Sequence, residues 1–95
     1  MIARVHKGDR AILALCDSPL LGKRFEEGRS QLDLTSDFFR GEEMDEARAG
    51  ELAQVVDIIF AVGKESVALL VSHGLAGQQD IKRVSGIPYL QVVRL

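Results

Sequence analysis

Apolar and polar positions divide the chain into short segments of differing period. Ile2 to Lys7 alternates imperfectly and predicts a strand, Gly8-Asp9-Arg10 a turn, and Ala11 to Cys16 a second strand, so the pair reads as a hairpin. The second strand is apolar on both faces, with Ala11, Leu13 and Leu15 on one and Ile12, Ala14 and Cys16 on the other. That is the pattern of a central strand covered on both sides. Asp17-Ser18-Pro19 breaks it, and Leu20-Leu21-Gly22 reads as one helical turn stopped by glycine. Lys23 to Gly28 is polar around Phe25, Ser30 to Leu34 predicts a half-buried strand, and Thr35 to Gly41 a loop or short turn carrying Phe38 and Phe39.

Asp45 is the expected cap of the main helix. Leu52, Val55, Val56, Ile59 and Phe60 then recur at helical spacing, and Ile58, Ala61 and Val62 make the last turn apolar almost all round, with Asp57 as the interruption. Such a turn is either sandwiched in a core or part of a subunit contact. Gly63 ends this helix, Lys64-Glu65-Ser66 opens a second, and His73-Gly74-Leu75 closes it. Ile81 to Val84 and Tyr89 to Arg94 predict two strands around Ser85-Gly86-Ile87-Pro88. The expected fold is α+β: a mixed β-sheet of about four to five strands with two helices, in the order β-β-β-α-α-β-β.

Composition narrows the class. With 95 residues the chain has room for one domain, 1–95, and 46% hydrophobic content excludes a disordered tail. One Cys excludes an intramolecular disulfide and a multi-thiolate zinc site. There is no apolar run of about 18 residues to cross a membrane, and Met1-Ile2-Ala3-Arg4 lacks a signal-peptide core, so a cytoplasmic protein is expected. The net charge of −2 is unevenly spread: residues 1–29 carry +2, 30–65 carry −6, and 66–95 carry +2. Two basic flanks thus bracket an acidic middle, which reads either as a mixed solvated surface or as one face meeting an anionic partner.

Several groups carry candidate chemistry. Gly22-Lys23-Arg24 joins a turn glycine to two bases and reads as an anion-holding turn, although the spacing of a P-loop is absent. Arg29, Lys82 and Arg83 would extend it into a phosphate-binding stripe, with Lys82 and Arg83 pointing to opposite strand faces. Only Phe25 and Tyr89 lie near that stripe, which leaves little for base stacking. Cys16 beside Asp17 is the candidate nucleophile, with His6 as its base; the alternative is a small buried apolar side chain. Gly86, Pro88 and Tyr89 form a loop that either turns the chain or presents a tip near a cleft. The acidic cluster at Glu42, Glu43, Asp45 and Glu46 complements a helix dipole rather than spelling a metal site, and no cofactor motif is present.

The run from Cys16 to Gly28, Cys-Asp-Ser-Pro-Leu-Leu-Gly-Lys-Arg-Phe-Glu-Glu-Gly, resembles the archaeal family of small conserved proteins termed domain of unknown function 424. The likeness continues at Phe38-Phe39, at Val62-Gly63, and at Gly86-Ile87-Pro88 followed by Gln91-Val92-Val93. It implies an archaeal, cytoplasmic, free-standing domain and no particular activity. The family pattern often has a histidine after the proline, where this chain has Tyr89, and a polar residue where Phe60 and Ala61 stand; the histidine departure weakens an enzyme reading. The leading expectation is a non-enzymatic binding module that contacts nucleic acid, RNA above all, or a ribonucleoprotein through basic loops. One alternative is a small enzyme using Cys16. Another is a structural or regulatory subunit, self-associating through Ile58–Val62.

Overall fold

The computed structural model describes residues 1–94. β1 (Ile2–His6) and β2 (Ile12–Cys16) form the expected antiparallel hairpin, with Ile2 opposite Cys16 and His6 opposite Ile12. β3 (Arg24–Glu27) and β4 (Ser30–Asp33) make a second, separate hairpin. A two-residue strand, β5 (Glu42–Glu43), pairs with the start of β1. α1 (Glu46–Val55) then returns the chain to β6 (Ile58–Val62), which runs parallel to β2, and α2 (Lys64–Ser72) leads to the closing hairpin of β7 (Lys82–Val84) and β8 (Ile87–Val93). The main sheet is ordered β5-β1-β2-β6-β8-β7, mixed, with two helices: an α+β fold.

The helical stripe does not run as far as its spacing predicts. α1 stops at Val55, and Ile58–Val62 is a central strand, not a helical turn. Asp57 holds the change of direction. Its carboxylate accepts the Ala11 amide at 2.8 Å, its own amide donates to the Ala11 carbonyl at 2.9 Å, and its carbonyl accepts the Arg94 amide at 2.8 Å. β6 is bonded to β2 on one side and β8 on the other, and Ile59, Ala61 and Val62 are fully buried. The run is therefore a central strand rather than a helical turn, with Ile59, Ala61 and Val62 in the core and Ile58 and Phe60 only partly buried. The β-branched density of Ile58-Ile59 and Val62 is the signal that favours strand.

Both faces are covered at the centre of the sheet, as the double-sided apolar pattern of β2 requires. Leu13, Leu15, Ile59, Ala61 and Leu90 pack under Ala49 and Ala53 of α1 and Val67, Leu69 and Leu70 of α2. Truncating a buried leucine of this layer to alanine costs about 2–5 kcal/mol. Ala14, Cys16, Val62 and Val84 pack on the other face, against Leu32 and Leu34 from the second hairpin and Phe39 from the turn at Asp37–Phe39. The two hairpins are tied together at their ends: the Ser85 amide donates to Glu27 Oε1 and the Ser85 hydroxyl to the Glu26 carbonyl, both at 2.6 Å. Ser85 (φ 50°) and Gly86 (φ 79°) form the two-residue turn, so Ile87 and Pro88 belong to β8 rather than to the turn.

The caps follow the sequence more closely. The Asp45 carboxylate accepts the Arg48 amide at 2.8 Å at the start of α1. Gly74 (φ 72°) ends α2, with the Leu75 amide reaching back to the Leu70 carbonyl at 2.9 Å, a Schellman closure.

Candidate functional site

The carboxyl ends of the parallel strands β2 and β6 bring several singled-out residues together. Asp17 follows β2, Gly63 follows β6, and both face Gly86, Pro88 and Arg83 across a cleft of about 590 Å³. The Asp17 carboxylate accepts the amides of Glu65 (3.0 Å) and Ser66 (2.8 Å) and the Ser66 hydroxyl (2.8 Å). Those donors are the unsatisfied amides of the α2 amino terminus, so the anion that this helix end attracts is supplied by the chain itself.

The Gly22 turn is likewise committed. Its amide donates to the Leu34 carbonyl at 2.8 Å and the Lys23 amide to the Leu20 carbonyl at 3.0 Å, which leaves no amide nest for a phosphate. Arg24 is engaged by Glu26 (2.7 Å) and Gln31 (3.2 Å). Arg29 is exposed at the tip of the β3–β4 hairpin. Lys82 lies opposite Tyr89 and shares its face, whereas Arg83 lies opposite Pro88 on the other face and lines the cleft with Lys64. The six anion-binding candidates thus do not form a single stripe, because β7 divides them between two faces.

The Cys16–His6 pair is not formed. Cys16 is 0% exposed, and burial, reinforced by the Asp17 charge, pushes its thiol up to about 11. His6 sits at the opposite end of the β1–β2 ladder, roughly 13 Å away at about 3.3 Å per residue. It is held there by a 2.9 Å hydrogen bond between Nε2 and the Phe38 carbonyl. A protonated, enclosed thiol that His6 does not reach packs as a core side chain.

What the sequence reading missed is an aromatic strip. Four of the chain's five aromatic residues gather on the hairpin side of the sheet, joined by His6. His6 stacks on Phe38 with centroids 4.7 Å apart and planes within 8°. Phe38 meets Phe60 edge to face at 6.2 Å, Phe39 packs edge to face on both, and Phe60 lies nearly parallel to Tyr89 at 6.2 Å and 16°. Phe39 is buried, but His6, Phe38, Phe60 and Tyr89 are all half-exposed. The strip draws its rings from β1, β6 and β8 and passes over the intervening β2, and cover thins beyond it: Ile12 and Ile58 are only partly buried and Val93 is 57% exposed. A cation stands at each end. Lys82 is beside Tyr89, and the Arg4 guanidinium is fixed on the carbonyls of Asp37 (2.8 Å) and Arg40 (3.2 Å), flanking the Phe38-Phe39 turn. No group of acids, histidines and cysteine able to hold a metal occurs among the described residues, and none of their helices is long and apolar enough to cross a membrane.

Fold and surface together define a small α+β protein with aromatic rings on a partly open sheet face. The chain belongs to the family described as protein of unknown function (DUF424), whose model matches residues 5–95. It is similar to the crystal structure of an uncharacterized conserved protein from Methanopyrus kandleri, with 27% identity and a TM-score of 0.80 over 99% of this chain and 92% of that one. No curated protein matches. The stretches that carry the family resemblance, Asp17 to Leu20, Val62-Gly63 and Gly86 to Pro88, meet around the cleft at the end of β2 and β6.

Proposed function

We propose that this protein is a non-catalytic module that binds RNA, free or within a ribonucleoprotein, by stacking unpaired bases on the half-exposed strip of Phe38, Phe60 and Tyr89. The observation that carries this reading is the alignment of these rings with His6 across the sheet, with Arg4 and Lys82 at the ends. Ring faces on a sheet suit single-stranded bases, each stacked base contributing about 1–3 kcal/mol, and they discriminate little between sequences. Arg4, Lys82 and the hairpin bases Lys23 and Arg29 would meet phosphates, so affinity falls steeply with salt. Burial of Cys16, at the far end of the ladder from His6, supports a binding role over a catalytic one.

The test is fluorescence anisotropy of a labelled single-stranded oligouridylate of about 12 nucleotides across a salt series. Saturable binding at low ionic strength, weakening as salt rises and outcompeting a duplex of equal length, is expected. No binding at low salt, or equal binding of duplex and single strand, overturns the reading.

A further inference from the structure

A second groove, of about 770 Å³, lies between the outer edge of β1 and helix α1. Its floor is apolar, formed by Val5, Met44, Leu52 and Val55, and Val55 is 77% exposed. An apolar side chain so open to water at the end of a helix buries its surface only against something else. The rim is basic: Arg4, Lys7, Arg40 and Arg48 surround the floor, against the one acid Glu42. Arg40 meets Asp37 at 3.5 Å and Arg48 meets Glu51 at 3.7 Å, both as exposed pairs one helical turn apart. Such pairs contribute little and exchange readily for another carboxylate. Lys7 makes no ion pair among the described residues.

The strand beside this groove is unfinished. β5 pairs only with Ile2 and Ala3, while β1 continues to His6. Gly41, just before β5, passes so close to the strand that a Cβ there would lie 2.1 Å from the Ala3 carbonyl oxygen. The Met44 amide donates to the Met1 carbonyl at 2.8 Å, which sets the antiparallel alternation. Met1, Ala3 and Val5 therefore turn their backbone groups to this side, and those of Val5 meet no strand among the described residues.

We propose that the β1–α1 groove docks an extended, acidic segment of a protein partner. The segment adds to the edge of β1 at Val5, sets apolar side chains on Leu52 and Val55, and meets Lys7, Arg40 and Arg48 with carboxylates. RNA fits the groove less well: no aromatic ring lines it, and a hydrated phosphate backbone would leave its apolar floor unfilled. Arg4 flanks both sites, but Val5, Lys7, Arg40, Arg48, Leu52 and Val55 belong to the groove alone, so the proposal stands whether or not the strip binds RNA.

The experiment uses the full chain and three fluorescein-labelled peptides, EVEIEVEVE, ESESESESE and KVKIKVKVK, measured by anisotropy with amide chemical shifts as a second readout. EVEIEVEVE is expected to bind, shifting the amides of Val5 to Lys7 and of Val55. The serine peptide is expected to bind at least about tenfold more weakly and the lysine peptide not at all, because apolar anchors and opposite charge are both required. Val55→Ser and Arg48→Glu, both at exposed positions, are each expected to weaken binding about fivefold or more. The proposal is overturned if no peptide binds below about 1 mM, if the serine peptide binds as well as EVEIEVEVE, if Val55→Ser changes nothing, or if oligouridylate displaces the peptide.

Discussion

The Asp17 carboxylate and Ser66 are bonded twice over, since Asp17 Oδ1 accepts both the Ser66 amide and the Ser66 hydroxyl at 2.8 Å. Ser66 is 0% exposed, so neither donor has water as a substitute. This one contact ties the end of β2 to the start of α2.

Removing it leaves buried donors without partners. Asp17→Ala is expected to destabilise the protein by about 2–3 kcal/mol, more than an ordinary exposed cap, because the Ser66 amide and hydroxyl are orphaned together, while the exposed Glu65 amide turns to water. Ser66→Ala alone costs less, and the double variant costs less than the two singly. A double-mutant cycle by chemical denaturation measures this coupling.

Gly63 and Gly86 offer a controlled comparison. Both have positive φ, 111° and 79°. A Cβ at Gly63 would lie 2.3 Å from Asp17 Cγ, whereas one at Gly86 meets nothing within 4 Å. Gly86→Ala is expected to cost about 1 kcal/mol from backbone strain alone. Gly63→Ala adds displacement of the Asp17 carboxylate from α2 and costs at least about 2 kcal/mol more. Equal midpoints in urea for the two variants would refute this account of the Asp17–Gly63 approach.

Much of this frame is legible in the sequence, and the reasons for the rest are specific. The first hairpin, the Asp45 cap, α2 and the closing hairpin all follow from local signals a few residues long, whereas Gly63, expected to end a helix, follows strand β6 instead. Ile58–Val62 misleads because its apolar positions continue the stripe of α1 in phase, and only its pairing with β2 and β8 makes it a strand. β3 and β5 are too short or too polar to announce themselves, and β5 exists through its contact with β1. The aromatic strip is illegible for a different reason. Positions 6, 38, 60 and 89 lie far apart along the chain and meet only in the folded sheet.

Cys16 predicts a chemical and a pH response. The enclosed thiol is expected to resist iodoacetamide at neutral pH and to react once denaturant is added. Its pKa stands at about 11 in the fold against 9.0 when free. Folding stability from keeping the thiol neutral is complete below pH 9 and is lost as pH rises toward 11, because the unfolded chain ionises first. Cys16→Ala, expected to cost about 1–2 kcal/mol at pH 7, therefore approaches the parent's stability over that range. Denaturation curves at pH 7 and pH 10 check this, and a constant gap between parent and variant contradicts it.

If the sheet face binds RNA through its rings, loss of the Tyr89 ring must weaken that binding. Tyr89 is half-exposed, stacked on Phe60, and the chain's single tyrosine. The measurement is oligouridylate affinity by anisotropy for the parent, Tyr89→Phe and Tyr89→Ala, each first shown to unfold cooperatively. Stacking needs the ring and not the hydroxyl, so Tyr89→Phe is expected to bind within about twofold of the parent and Tyr89→Ala about tenfold more weakly. Unchanged affinity in folded Tyr89→Ala, or no binding by the parent at low salt, would contradict the account.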